Sequence, residues 1–320
     1  MTSDKPDLPA VALIAGPTAS GKSALAMALA RSLREDGREA LIVNADASGV
    51  YRDIPILSAQ PCPADQAEIP HALVGHIDAA ANCNAARWIA EARAAIADAT
   101  ARGTVPLIAG GTGLYIKALL DGIAPVPDID PNIRAEARAL PAAIAHLRLQ
   151  ELDPAAAAKL RRTDTTRVQR ALEVVQSTGK PLSDWQASRE GGIGDRIALT
   201  PMLLLPPRDW LRDRCDARFD AMIAAGALAE VEALLARDLD PDLPAMRAIG
   251  VPELSAHLRG ETTLETAIAL AQTATRQYAK RQYNFFRGQF PADWPRTDAE
   301  INDDNISEIV TNLRDSLLTG

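Results

Sequence analysis

Eight residues near the start, Gly16-Pro17-Thr18-Ala19-Ser20-Gly21-Lys22-Ser23, carry the spacing G-x-x-x-x-G-K-[ST]. Glycines there let the backbone turn tightly, so that several N–H groups converge on phosphate oxygens. Lys22 has the reach for terminal phosphates, and the Ser23 hydroxyl suits Mg²⁺. The apolar run Val11 to Ala15 precedes the loop, and Leu25, Leu29 and Leu33 follow it at helical spacing. That order is strand, loop, helix, and the helix adds its positive end to an anion site. A ligand bearing a polyphosphate follows from this. What becomes of the phosphate does not, because nucleotide sites for ATP use the same loop.

Two further groups fall at the ends of apolar runs. Ala40 to Val43 ends at Asn44-Ala45-Asp46, and Thr104 to Ala109 ends at Gly110-Gly111-Thr112-Gly113. Ligands in open α/β sheets bind outside the carboxyl ends of strands. Asp46 there suits either Mg²⁺ or a general base, or it is a turn or helix-capping aspartate. Thr112 offers a hydroxyl beside glycines that admit a ligand, or it caps the next helix. Two segments are locally basic in a chain whose net charge is −8. Arg161 to Arg170 holds four arginines and one acid. Arg276 to Arg287 holds Arg276, Lys280, Arg281 and Arg287 with Tyr278, Tyr283, Phe285 and Phe286 among them. Arginine mixed with aromatic rings suits stacking and phosphate contact on single-stranded RNA, and a solvated helix face gives the same composition. A small-molecule or nucleotide kinase and a non-catalytic RNA-binding protein both stay open on these residues. A kinase would not need the arginine clusters, which composition alone reads at least as readily as solvated helix faces.

The elements that must position these groups alternate. Strand runs at 11–15, 40–43 and 104–109 are separated by helical segments, including an alanine-rich helix over Ala85 to Arg102. The pattern predicts an α/β fold: a parallel sheet of P-loop type flanked by helices on both faces. Proline then becomes frequent (Pro125, Pro127, Pro131), and residues 131–186 read as helices with caps at Asp130 and Asp153. A fourth strand run, Ile197 to Leu205, returns to the sheet, and the chain is helical from Arg208 onward. The expected organisation is a discontinuous catalytic core, 1–124 and 197–320, with an all-helical insertion at 125–196. The last twenty residues read as peripheral.

Composition sets the outer limits. Apolar residues make up 47% and charged residues 24% of the 320, as in an ordinary globular protein. No apolar run approaches the roughly 18 residues that span a bilayer, and Met1 to Pro9 shows no secretory signal. A cytoplasmic location is expected. Cys62, Cys83 and Cys215 are odd in number and form no C-x-x-C pair, so reduced thiols are expected. The four histidines, 71, 76, 146 and 257, lack metal-ligand spacing.

Taken in order, these pieces resemble the tRNA dimethylallyltransferase (tRNA isopentenyltransferase) family. The resemblance rests on GPTASGKSALA (Gly16 to Ala26), on Asp46 with Tyr51 five residues on, and on PLIAGGTGLYIKALLDG (Pro106 to Gly122). It extends to RALEVVQSTGKPLS (Arg170 to Ser183), RFDAMIAAGALAEV (Arg218 to Val231), MRAIG (Met246 to Gly250) and TRQYAKRQ (Thr275 to Gln282). The likeness runs from about residue 10 to 290.

The resemblance implies transfer of a dimethylallyl group from dimethylallyl diphosphate to N6 of the adenosine just 3′ of the anticodon, at tRNA position 37. It implies Asp46 as general base, and Lys22, Arg247 and Mg²⁺ at the diphosphate. Thr112 would lie between the substrates. Contacts to tRNA are implied for Asp46, Ala47, Ser48, Gly49, Thr112, Arg134, Thr166, Arg167, Val168, Gln169, Arg170 and Arg247, with Arg276, Lys280 and Arg281 added by the basic segment. The insertion would grip the anticodon stem-loop, and nothing demands more than a monomer. The sequence departs from the family pattern at Ala47 (commonly serine), Gly49 (glutamine), Gln60 (lysine), Val251 (tyrosine) and Phe285 (tryptophan).

Overall fold

The computed structural model describes residues 8–302 and 304–319. Among these the elements are, in order, β1 (Ala10–Ala15), α1 (Lys22–Glu35), β2 (Ala40–Asn44), α2 (Pro63–Glu68), β3 (His71–Ala72), α3 (Ala85–Ala101), β4 (Val105–Gly110) and α4 (Gly113–Asp121). Next come α5 (Pro131–Ala139), α6 (Ala142–Leu152), α7 (Pro154–Lys159), α8 (Thr165–Thr178) and α9 (Leu182–Gln186). The chain then runs through β5 (Ala198–Leu204), α10 (Arg208–Ala224), α11 (Ala227–Leu235), α12 (Val251–Leu258), α13 (Leu264–Gln289), β6 (Arg296–Thr297) and α14 (Ile306–Thr319).

The strands form one parallel sheet in the order β3-β2-β4-β1-β5-β6. β1 lies inside it between β4 and β5, and Val11 to Ala15 are buried without the polar alternation of a one-sided strand. Helices therefore cover both faces, as expected for a parallel sheet. Register decides where the loops emerge. Ala15 pairs with Gly110 and Leu203, and Asn44 pairs with Ala109. The ends of β1, β2 and β4 are therefore level, and the loops leaving them meet at the carboxyl edge.

The chain divides into two compact units. One holds the residues up to Leu119 together with those from Ile193 onward, and the other is Leu120–Gly192. The second unit is helical. Ala137, Ala145, Leu149, Val168, Ala171 and Leu172 form its core. Asp130 and Asp153 cap α5 and α7, each before a proline at the first helical turn. Within it the buried Glu173 carboxylate takes a hydrogen bond from Arg138 Nε (2.9 Å) and one from Arg170 (3.3 Å), with Arg134 Nε at 4.0 Å.

Three elements correct the sequence reading. The C-terminal residues are not peripheral: Val310, Leu313 and Leu317 of α14 are buried in the core cluster with Leu29 and Leu33 of α1. Their spacing of three and four puts them on one helix face. The two-residue strands β3 and β6 at the sheet's edges carry no periodicity and were not anticipated.

Candidate active site

The phosphate-type loop joins β1 to α1. Gly21 has φ +93° and Ala19 φ +63°, left-handed conformations that turn successive N–H groups toward one point. Gly21 caps α1 without any side-chain acceptor, so the first-turn N–H groups stay available to an anion. The Ser20 hydroxyl is buried with no partner among the described residues. Lys22 is 6% exposed, and its Nζ lies 3.6 Å from Asp46 Oδ2. Burial lowers the Lys22 pKa, Asp46 raises it, and the nearby Arg218 lowers it.

Asp46 stands just past β2. Its Oδ1 accepts from Gly111 N–H at 2.5 Å, and Oδ2 faces Lys22. The carboxylate is thus held by its neighbours and one-third exposed, which no helix cap would require. Asn44 braces the turn: its Oδ1 accepts from Asp46 N–H and its Nδ2 donates to the Asp46 carbonyl, both at 3.1 Å. Thr112 precedes α4, but its hydroxyl oxygen accepts from Ala47 N–H at 2.9 Å, so it straps the Asp46 turn to β4. At Gly111 a Cβ would approach Gln282 Nε2 to 2.3 Å and Asp46 Oδ1 to 2.9 Å. Only glycine fits there.

Asp46, Ala47, Ser48, Thr18, Arg247 and Arg281 line one cleft of about 370 Å³. Leu57, Phe219, Met222 and Ile249 give it an apolar side. Glu230 fixes the Leu57 wall by accepting from Ile56 N–H (2.7 Å) and Leu57 N–H (2.9 Å). Burial raises the Glu230 pKa and those two bonds oppose it. Lys22, Ser23, Arg214 and Arg218 line an adjoining cleft of about 410 Å³ at the loop's mouth.

Sequence reasoning assigned no role to Arg218, Arg214 or Gln282, and offered Tyr278 only as one of the aromatic rings suited to stacking on RNA. Arg218 Nη1 donates to Thr18 Oγ1 at 2.9 Å, and Arg214 Nε donates to the Ala19 carbonyl at 3.1 Å. Burial lowers the Arg218 pKa and Asp46 opposes that. The signal available was the four-residue spacing of Arg214 and Arg218 beside the apolar Leu211, Cys215 and Phe219 face of α10. Burial raises the Cys215 thiol to about 11, so it is an inert wall of the cleft. Burial raises the Tyr278 pKa, Asp46 raises it further, and the neighbouring Thr112 and Gln282 oppose that.

Arg276 is committed to Asp216 by contacts of 2.6 and 2.7 Å, while Lys280 and Arg281 are exposed on α13. Arg134, Thr166, Arg167, Val168, Gln169 and Arg170 belong to the helical unit, where Val168 is fully buried and Thr166 and Arg167 are exposed. Of the departures, Gln60 donates to the Tyr51 carbonyl (2.8 Å) and bonds Ser58. Phe285 packs edge-on to Phe286 and Phe290.

No cluster of three acidic, histidine or cysteine groups suited to a metal occurs among the described residues. Mg²⁺ takes few protein ligands when phosphates supply the rest. The exposed Ser23 hydroxyl beside the open cradle fits that pattern.

A model of the IPP transferase family matches residues 49–289. The tRNA dimethylallyltransferase of Sphingopyxis alaskensis is 59% identical over 97% of this chain and all of its own length. That of Erythrobacter litoralis is 54% identical over 90% of this chain and 91% of its own. Among solved structures, the full-length tRNA isopentenylpyrophosphate transferase of Bacillus halodurans superposes with a TM-score of 0.68, at 29% identity, over 97% of each chain. A eukaryotic dimethylallyltransferase acting on tRNA gives 0.74 at 28% identity, over 88% of this chain and 70% of that one. The chain belongs to the IPP transferase family of tRNA dimethylallyltransferases.

Proposed function

We propose that the chain transfers a dimethylallyl group from dimethylallyl diphosphate to N6 of the adenosine at position 37 of tRNA, releasing diphosphate. The observation that carries this reading is a braced carboxylate, Asp46, in a cleft shared with Arg218, with Lys22 of the adjoining anion-binding loop 3.6 Å away. Phosphoryl transfer needs phosphate and an acceptor there. This cleft also has an apolar side suited to a five-carbon chain and an exposed basic rim suited to RNA.

N6 of adenine is a weak nucleophile because its lone pair is delocalised into the ring. As N6 bonds to the allylic C1, the C1–O bond breaks and its electron pair leaves with diphosphate. N6 must then shed one proton, and Asp46 Oδ2 is placed to accept it. Negative charge grows on the departing diphosphate, where the loop N–H groups, Lys22, Arg218 and Arg247 are aimed. The Ser23 hydroxyl would hold Mg²⁺ there, and the ion would supply further charge neutralisation. Without ligand, the Lys22–Asp46 contact (3.6 Å) keeps both charges partly compensated. When diphosphate draws Lys22 away, the carboxylate is freed for N6.

The adenine must leave its stack to reach the cleft, so base flipping is part of this reading. Arg281 on the rim and Lys280 on α13 serve the RNA backbone, as do Arg134, Thr166, Arg167, Gln169 and Arg170 of a helical insertion (125–196) that grips the anticodon stem-loop. Arg276 does so less, because Asp216 holds its charge. Thr112 positions the Asp46 turn. Catalysis needs one chain. The test is Asp46→Ala, assayed for transfer and for tRNA binding. Transfer should fall at least about 100-fold, the low end for a lost general base, with the tRNA Kd within about threefold. Equal loss of both would make Asp46 a structural or RNA contact.

A further inference from the structure

Gln282 is 6% exposed near the end of α13, and both of its amide atoms are spent on loops far away in the chain. Its Oε1 accepts from Thr18 N–H at 2.8 Å, and its Nε2 donates to the Gly111 carbonyl at 2.8 Å. One loop carries the phosphate-binding backbone. The other carries the peptide whose N–H holds Asp46 Oδ1. The amide has one orientation that satisfies both partners, since an N–H must meet an oxygen and a carbonyl must meet an N–H.

Two consequences follow. Thr18 N–H is committed to Gln282 and its hydroxyl to Arg218, so Thr18 is a fixed corner of the loop whose N–H is not aimed at phosphate. Gly111 is gripped from both sides, Asp46 on its N–H and Gln282 on its carbonyl. The bare glycine lets the two side chains come this close.

We propose that Gln282 is a positioning residue for the transfer step. Its one amide sets the spacing between the leaving-group loop and the loop that aims Asp46, and it ties both to the helix that carries Lys280 and Arg281. This rests on the function proposed above and deepens it. A shift of about 1 Å between such loops separates the developing charge at diphosphate from the proton acceptor at N6, and misplacement of that size costs about 100-fold in rate.

The test uses the full chain with tRNA and dimethylallyl diphosphate, comparing wild type, Gln282→Met and Gln282→Glu. Methionine keeps the volume and removes both bonds. Glutamate keeps an acceptor for Thr18 N–H and sets a carboxylate against the Gly111 carbonyl. We expect kcat to fall about 10- to 100-fold in both, with KM for tRNA and tRNA binding within about threefold of wild type. A variant kcat equal to wild type overturns the proposal. So does a parallel loss of kcat, tRNA affinity and folded structure in both variants, since Gln282 would then be a structural tie only. If Gln282→Met alone fails to fold, Gln282→Glu decides. A wild-type chain that yields no product contradicts the proposed function rather than this assignment.

Discussion

Lys22 must keep a positive charge in a buried place. Its pKa is lowered from 10.5 by burial, and the diphosphate binds the protonated form. Affinity is therefore present below the lowered pKa and is lost as pH rises through it. The alkaline limb of kcat/KM for dimethylallyl diphosphate should fall below pH 10.5. It should move upward in Lys22→Arg, whose charge does not titrate in this range; an unmoved limb in a pH–rate profile assigns that titration elsewhere. Arg218→Gln should lower kcat/KM for the diphosphate by roughly 100-fold, the scale of one lost transition-state donor, with KM for tRNA little changed in steady-state kinetics. At this scale the sequence was most informative where a motif fixes spacing. Gly16 to Ser23, Asp46 and Thr112 were legible. Gln282 and Arg218 were not, because each acts through a contact about 170 to 260 residues away in the chain, and no local pattern encodes that.

Element by element, legibility followed burial. β1, β2 and β4 are largely buried parallel strands and read as apolar runs, while β5 reads as one although only its Leu203 and Leu204 end is buried. β6 is two residues at an edge and has nothing to read. α14 was misjudged because its position at the end of the chain outweighed its Val310, Leu313, Leu317 stripe. Leu313→Ala should cost about 2–5 kcal/mol, the range for deleting a buried leucine, in denaturant unfolding. In the helical unit, Glu173 is 2% exposed and gathers Arg138 and Arg170, with Arg134 nearby. Glu173→Ala leaves those guanidinium groups without their shared acceptor. The arginines are about half exposed, so the loss should sit near the lower end for a broken buried pair, roughly 3 kcal/mol. Unfolding of the full chain, followed by a probe in 120–192, measures it.

Across the whole molecule, a net charge of −8 and an RNA substrate are reconciled by local charge. Exposed cations gather on α13 and at the start of α8, while the acids lie elsewhere or are paired, as Asp216 is with Arg276. The tRNA affinity should fall with salt, and Arg167→Ala or Lys280→Ala should each shallow the slope of log K against log salt by about 0.7 to 0.9, one phosphate contact. Arg276→Ala should leave that slope less changed than either, because its charge is committed to Asp216. The central claim is that the loop holds a departing diphosphate while carbon moves to RNA. Its most direct test is mass analysis of the anticodon-loop fragment after incubation of tRNA with the chain, dimethylallyl diphosphate and Mg²⁺. The account predicts a five-carbon adduct on the adenosine 3′ of the anticodon, with free diphosphate released in equal amount. Folded protein that leaves the fragment unmodified, or that transfers phosphate from ATP instead, would contradict it.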